Sequence, residues 1–477
     1  MGDLMRSQYR TPTSNRPRQR GVSAATLTAG ALVLVLVLAA ACGNVYEASD
    51  KGTGNASQSN GTNPGGTAGS GGSNPTGAVD KSKLKQKNPS TQPGVTDDTI
   101  RVGGVAATTN ILKLPLDQAF NGVQAYFDMV NSEGGMYGRK LEIVSKRDDQ
   151  MTKNKEEAQG LVSQDNVFAV APVATVLFTG AGVLADAKIP TFGWSINPEY
   201  GGPPNLYADK GSHLCTSCAY PAQSFVAREN GISKVALLTY GVDQSKECAV
   251  GVKAGFEKHK VAEVVFTDDT VPFGTTDYGV QVQKMKQAGV QMVVTCMDTS
   301  GVINLARELT KQNANIIQYM QNGYDYDLLA DYPKEFEGSI MMTQFVPLEF
   351  GQRPAGLENY VKWIEKIPGA KKGEISLGGW LAADMLYRGL AMAGPDFTRE
   401  KVISNLNQVT NWNADGITPG WDWTIVHEAD MPAACQAFSK ILDGKFVPQF
   451  TEPGKPFVCF AAADPLPDKP RRKASGE

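Results

Sequence analysis

Between Thr99 and Thr343 the sequence alternates short β-branched runs with longer amphipathic stretches, and this rhythm narrows the fold more than any other feature. Thr99 to Ala107 (TIRVGGVAA) reads as a strand. After Pro115-Leu116 a helix follows, with Phe120, Val123, Phe127 and Val130 at helical spacing on one face and Gly134-Gly135 as its stop. Leu141 to Arg147, Val167 to Val173 and Pro190 to Trp194 read as further strands, with helices over Asn154 to Gln164 and Phe178 to Ala187 between them. After a break at Pro221 the pattern restarts. Helices are predicted over Ala222 to Asn230, Cys248 to Lys258, Tyr278 to Gln287 and Val302 to Lys311. Strands are predicted over Lys234 to Tyr240, Glu263 to Thr267, Gln291 to Cys296, Ile316 to Met320 and Ser339 to Thr343. Such alternation implies parallel sheets covered on both faces, here two doubly wound α/β lobes.

The flanks are of another kind. Arg6, Arg10, Arg16, Arg18 and Arg20 precede an apolar run from Val22 to Ala41, which ends in Ala39-Ala40-Ala41 before Cys42. A basic stretch, an apolar stretch and small residues are the pattern of a secretory signal, so residues 1–41 are expected to be removed. Residues 42–93 are rich in Gly, Ser, Thr, Asn and Pro and have little to bury. They are expected to stay a solvated linker spanning about 40 Å. Residues 464–477 are expected to form a second disordered tail.

Without residues 1–41 the chain holds 41 basic against 48 acidic residues, a net charge of −7 and not the footprint of a nucleic-acid binder. Six cysteines remain after Cys42: Cys215, Cys218, Cys248, Cys296, Cys435 and Cys459. An even number in an oxidising compartment suggests disulfides. Cys435 and Cys459 are expected to pair around a short helix and a Gly-containing turn, the other four forming two bridges among themselves. A redox reading of CTSC, or a metal site there using His213, is the weaker alternative with only three His in the chain.

No catalytic constellation is present. GxSxG, HExxH and a Gly-rich loop ending in GK[ST] are all missing. His213, His259 and His427 lie in unrelated contexts, and Asp148-Asp149 and Asp268-Asp269 read as capping or solvated strand ends. No cofactor and no metal are expected. A binding site is better supported, because ligands of open parallel sheets lie beyond the carboxyl ends of the strands. The loops there hold hydroxyls, amides and aromatics: Thr108, Thr109 and Asn110; Thr175; Trp194 and Ser195; Tyr240, Gln244 and Ser245; Asp298 and Thr299; Asn322, Tyr324 and Asp325.

Several segments together resemble the branched-chain amino-acid binding proteins, the type I periplasmic binding proteins that serve ABC importers. They are TIRVGGVAATTN, NGVQAYFDMVNSEGGMYGRKLEIVSKRDDQ, VFAVAPVATVLFTGAGVLADAKIPTFGWSINPEY and GISKVALLTYGVDQ. The resemblance covers about Thr96 to Phe460. It implies two lobes joined by a three-segment hinge, with 94–220 and 346–394 in the first and 221–345 with part of 395–463 in the second. GGWLAADMLYRGLAMAG would be the helix returning to the first lobe, and the last crossing would fall between Gly394 and Trp423. Cys42 is similar to the lipidated Cys of bacterial lipoproteins, which implies a membrane anchor.

The resemblance also implies site roles. Thr175 would bind a ligand carboxylate, Trp194 and Ser195 would lie beside it, Tyr240, Ser245 and Met297-Asp298 would close from the second lobe, and Trp380 would form part of the wall. Thr109 and Tyr324 complete the expected ligand contacts. One departure stands out: the family's Glu that neutralises a ligand ammonium is replaced at the nearest match by Gly323, in QNGYDYD. A buried ammonium without an acid is costly. The chain is therefore expected to be no enzyme but a monomeric, lipid-anchored receptor on the outer membrane face. It would hand a small polar solute to an ABC permease, or report it to a signalling partner.

Overall fold

A computed structural model describes residues 76–210, 218–321, 323–427, 435–460 and 466. The signal region, Cys42, most of the linker, His213, Cys215, Asn322 and, apart from Leu466, the expected tail lie outside the described residues, as does the side chain of Gln244.

The first sheet holds β1 (Thr99–Ala106), β2 (Lys140–Asp148), β3 (Ala169–Ala174), β4 (Thr191–Gly193) and β5 (Leu206–Ala208), all parallel, in the order β2-β1-β3-β4-β5. α1 (Gln118–Ser132), α2 (Asn154–Ser163) and α3 (Ala181–Asp186) connect them. The AVAPVA run of β3 is buried at every position, as a central parallel strand covered on both faces must be. α1 buries Phe120, Val123, Phe127 and Val130. Its last turn closes where the Gly135 N–H, at φ 72, donates to Val130 O at 3.0 Å.

The second sheet runs β12-β11-β10-β9-β8-β6-β7. Its parallel part is β6 (Lys234–Tyr240), β7 (Glu263–Val271), β8 (Met292–Cys296), β9 (Ile317–Met320) and β10 (Ile340–Thr343). α4 (Pro221–Glu229), α5 (Asp243–His259), α6 (Gly279–Ala288), α7 (Thr299–Lys311) and α8 (Tyr326–Asp331) are its helices. The remaining strands, β11 (Cys435–Leu442), β12 (Lys445–Gln449) and β13 (Val458–Cys459), are antiparallel.

Here one expectation is corrected. Cys435 and Cys459 are bonded, but no helix separates them: they face each other on β11 and β13. Asp443 and Gly444 both have positive φ and join Leu442 to its partner Lys445, the two-residue hairpin that an Asp-Gly pair favours. Cys248 is bonded to Cys296, and Cys218 is also in a disulfide.

After β10 the chain returns to the first sheet as α9 (Ala355–Ile364), α10 (Glu374–Ala393) and α11 (Arg399–Leu406). α10 lies against α1 at two glycines: a Cβ on Gly122 would press into Ser376 O and one on Gly379 into Ala119 O, each closer than 3.0 Å. Beside this crossing Asp384 gathers the Arg388 guanidinium (2.7 Å), the Trp412 indole N–H (2.7 Å) and the Tyr126 hydroxyl (2.9 Å), so the buried charge is paired. Trp423 and His427 pack edge-on against Tyr207. The chain is thus still beside the first sheet at His427 and enters the second at Cys435, later than the crossing expected before Trp423. Both ends of the body also reach further than composition suggests. Leu84 is buried and its carbonyl accepts from the Tyr137 N–H, and Leu466 packs into the second sheet's core.

Candidate ligand cleft

The carboxyl ends of both parallel sheets open on one cleft of about 420 Å³. From the first sheet come Leu112, Leu114 and Leu116 after β1, Met151 after β2, Val176 and Leu177 after β3, and Trp194 and Ile196 after β4. From the second come Tyr240, Val242 and Ser245 after β6, Phe273 after β7, Met297 and Asp298 after β8, and Gly323, Tyr324 and Asp325 after β9. The stretch leading into α10, Lys371 to Ser376, completes the rim. The two sides touch: the Ser300 hydroxyl donates to Leu112 O at 3.3 Å, Lys371 pairs with Asp327, and Asp325 bridges to Gly373. The wall is mainly aliphatic and aromatic, where the sequence reading anticipated a polar one.

Five of the expected ligand residues meet at this cleft: Trp194, Tyr240, Ser245, Asp298 and Tyr324. Ser245 stands in the first turn of α5, because that helix begins at Asp243 and not at Cys248. Asp298 caps α7, its Oδ1 accepting from the Gly301 N–H at 3.0 Å and from the Tyr240 hydroxyl at 2.5 Å, while Oδ2 is buried with no hydrogen-bond partner. Burial and the adjacent carboxylate push the Tyr240 hydroxyl far above the usual phenol range, so it remains a donor. Trp194 likewise carries a buried indole N–H without a partner. Tyr324 is different. Its ring stacks on Phe446 at 4.7 Å, and its hydroxyl donates to Glu349 and accepts from the Leu348 N–H, so it forms wall and not a free contact.

The other four lie elsewhere. Thr109 is exposed, its N–H on Asp148. Thr175 is fully buried and turns its hydroxyl to Leu177 O in its own loop, while the Asn197 amide holds its carbonyl. Ser195 is fully buried, its N–H on Asp209. Trp380 is a core aromatic, edge-on to Tyr126 at 4.7 Å and to Tyr360 at 5.8 Å. Its placement at the pocket wall is corrected: the close crossing at Gly379 turns this face of α10 toward α1.

Sequence reasoning missed the leucines after β1, Phe273, and the Cys248–Cys296 bridge, which sits in the cleft wall where the Gln321 amide contacts both sulfurs. The run Ile111-Leu112-Lys113-Leu114-Pro115-Leu116 was a usable signal. So many aliphatic residues between a strand and a helix need something to cover them.

Behind Trp194 lies a buried charged group. Lys210 pairs with Glu374, the first residue of α10, and the fully buried Asp209 holds the Ser195 N–H at 3.0 Å. Burial pushes the Asp209 carboxyl up to about 6, against the pull of Lys210. No group of three or more His, Cys, Asp or Glu able to hold a metal occurs among the described residues.

A two-sheet body with a shared cleft at its strand ends defines a ligand-binding receptor class. Residues 99–444 match the family model described as periplasmic binding protein, and the chain belongs to that family. Its members are extracytoplasmic binding proteins and not enzymes. Among solved structures, a fatty acid ABC transporter substrate-binding protein from Thermomonospora curvata is similar at 21% identity and a TM-score of 0.63, covering 82% of this chain and 99% of its own. A solute-binding protein from R. palustris in complex with 4-hydroxybenzoate is 19% identical at 0.61, with 78% and 98% covered. A branched chain amino acid ABC transporter from Thermus thermophilus with bound valine is 18% identical at 0.61, with 76% and 97% covered. No curated protein matches.

Proposed function

We propose that this chain is a lipid-anchored receptor, held to the outer membrane face through Cys42, that captures an amphipathic organic solute with a substantial apolar body and delivers it to an ABC importer. The observation that carries the reading is the make-up of the cleft. A volume of about 420 Å³ suits a ligand larger than most amino acids, and its aliphatic wall suits an apolar body. Neither pole of an amino-acid site is built: Thr175 spends its hydroxyl inside its own loop, and Gly323 stands where the ammonium-binding Glu would be. Structural likeness to proteins titled for a fatty acid transporter and a 4-hydroxybenzoate complex supports such a ligand. In this reading residues 76–210 and 344–427 form one lobe, and 218–343 and 435–460 the other. Trp194, Tyr240, Ser245 and Asp298 touch the solute, and Thr109, Thr175, Ser195 and Trp380 shape the loops and core around it.

Thermal denaturation of the full chain against amino acids, aromatic acids and amides, and medium-chain acids and alcohols tests the reading. Apolar-bodied compounds should raise the midpoint and zwitterionic amino acids should not. A shift from leucine or valine equal to that from octanoate or 4-methylbenzamide would overturn it. Deletion of the gene should abolish uptake of the compound that binds.

A further inference from the structure

We infer that the cleft selects its ligand by a hydrogen-bond donor on the head group, read by Oδ2 of Asp298, and therefore takes neutral donor-bearing amphiphiles such as amides and alcohols in preference to carboxylates. The inference rests on the receptor reading above and deepens it.

Asp298 is placed to do this. It lines the cleft, and its carboxylate is fixed from behind: Oδ1 holds the Gly301 N–H and the Tyr240 hydroxyl, which leaves Oδ2 as the oxygen with no partner. Tyr240 is itself immobilised, edge-on to Phe273 at 4.9 Å and so close over Gly301 that a Cβ there would collide with its hydroxyl. A carboxylate oxygen accepts and cannot donate. A ligand N–H or O–H would satisfy it, while a ligand carboxylate or ketone would leave it buried and unpaired beside another acceptor. Sites built around one polar partner discriminate strongly against analogues lacking it.

The cations at the rim do not reverse the preference. Lys371 already faces Asp327 and Lys372 faces Glu365 at 2.9 Å, so an anionic head would have to displace a resident carboxylate. Trp194 offers the complementary group from the first sheet, a buried indole N–H suited to an acceptor on the same ligand. An amide, with one acceptor and one donor, satisfies both sides.

The test is calorimetric titration of the detergent-solubilised full chain with two series of constant body: 4-methylbenzamide, 4-methylbenzyl alcohol, 4-methylbenzoate and 4-methylacetophenone, and octanamide, 1-octanol and octanoate. The amide and alcohol should bind at least tenfold more tightly than the carboxylate and ketone in each series. Asp298→Asn keeps an oxygen for Gly301 and Tyr240 and presents an amide N–H to the cleft, so the order should reverse, with the acceptor-only ligands gaining. A wild-type chain that prefers the carboxylates overturns the inference while leaving the receptor reading intact. An Asp298→Asn chain that weakens every head group equally does the same. Binding of no compound in either series overturns both. The wild-type ranking decides the matter even where the variant fails to fold.

Discussion

The Tyr324 hydroxyl lies 2.6 Å from Oε2 of Glu349, tying the loop after β9 to the segment that carries the chain back toward the first sheet. The same hydroxyl accepts from the Leu348 N–H at 2.7 Å, and Tyr326 also donates to Glu349. Tyr324→Phe strands a buried N–H and a carboxylate oxygen, and should cost about 1–3 kcal/mol of stability. Urea unfolding measures the loss. Ligand preference should not change, because the ring still stacks on Phe446.

Where α1 and α10 cross, Gly379 has no room for a side chain, since a Cβ would press into the carbonyl of Ala119. Both partners are helix backbone, so relief requires the helices to part. Gly379→Ala should destabilise by about 1–3 kcal/mol even though alanine favours helices. A melting midpoint that rises would show that the crossing is loose.

How much of this was legible in sequence follows from what periodicity can encode. Strand positions such as Lys234–Tyr240 stand out because a central parallel strand must be apolar along its length, and β6 is buried at every residue after Lys234. The Asp443-Gly444 hairpin was equally legible, but the cysteines on either side drew attention to a loop. Trp380 shows the limit. An aromatic on a helix does not reveal which neighbour it meets, and only the close approach at Gly122 and Gly379 turns it into the core. Likewise Thr175 keeps the residue type of a carboxylate binder, while Leu177 O, two residues on, takes its hydroxyl.

The Cys248–Cys296 bridge joins α5 to the end of β8 with 48 residues between its ends, and both cysteines line the cleft. Closing a loop of that length removes about 4 kcal/mol of unfolded-state entropy in the chain-entropy model. Replacing both residues by Ser should lower stability by up to that amount and also weaken ligand binding, because α5 carries Ser245. Cys435 and Cys459 are not among the cleft residues, so their replacement should lower stability alone. Equal losses of affinity in the two double variants would contradict this separation.

Acid stability should show two opposed titrations. Burial lowers His427 from 6.5 to about 4, so between those values the unfolded chain binds the extra proton and stability rises with pH. Burial raises Asp209 from 3.8 to about 6, so across that window the folded chain holds the extra proton and stability falls with pH. From about pH 4 to 6 the two slopes oppose, each at most about 1.4 kcal/mol per pH unit. Asp209→Asn should therefore make stability climb more steeply with pH, and His427→Gln should make it climb less or decline. Denaturant midpoints between pH 4 and 7 give both slopes, and a shared sign would sink the assignment.

Trp194 joins the buried group to the ligand. Its backbone N–H donates to Val173 O at 2.8 Å, and its neighbour Ser195 is held by Asp209, so the loop stays fixed when the ring is removed. The indole itself is only partly buried and faces the cleft. Trp194→Ala should thus leave the unliganded midpoint nearly unchanged while removing the ligand's stabilisation. For wild type that stabilisation is about 2.7 kcal/mol at a hundredfold excess over Kd. Thermal denaturation with and without the tightest amide or alcohol reads the difference. A shift that survives the substitution would place the ligand outside this cleft.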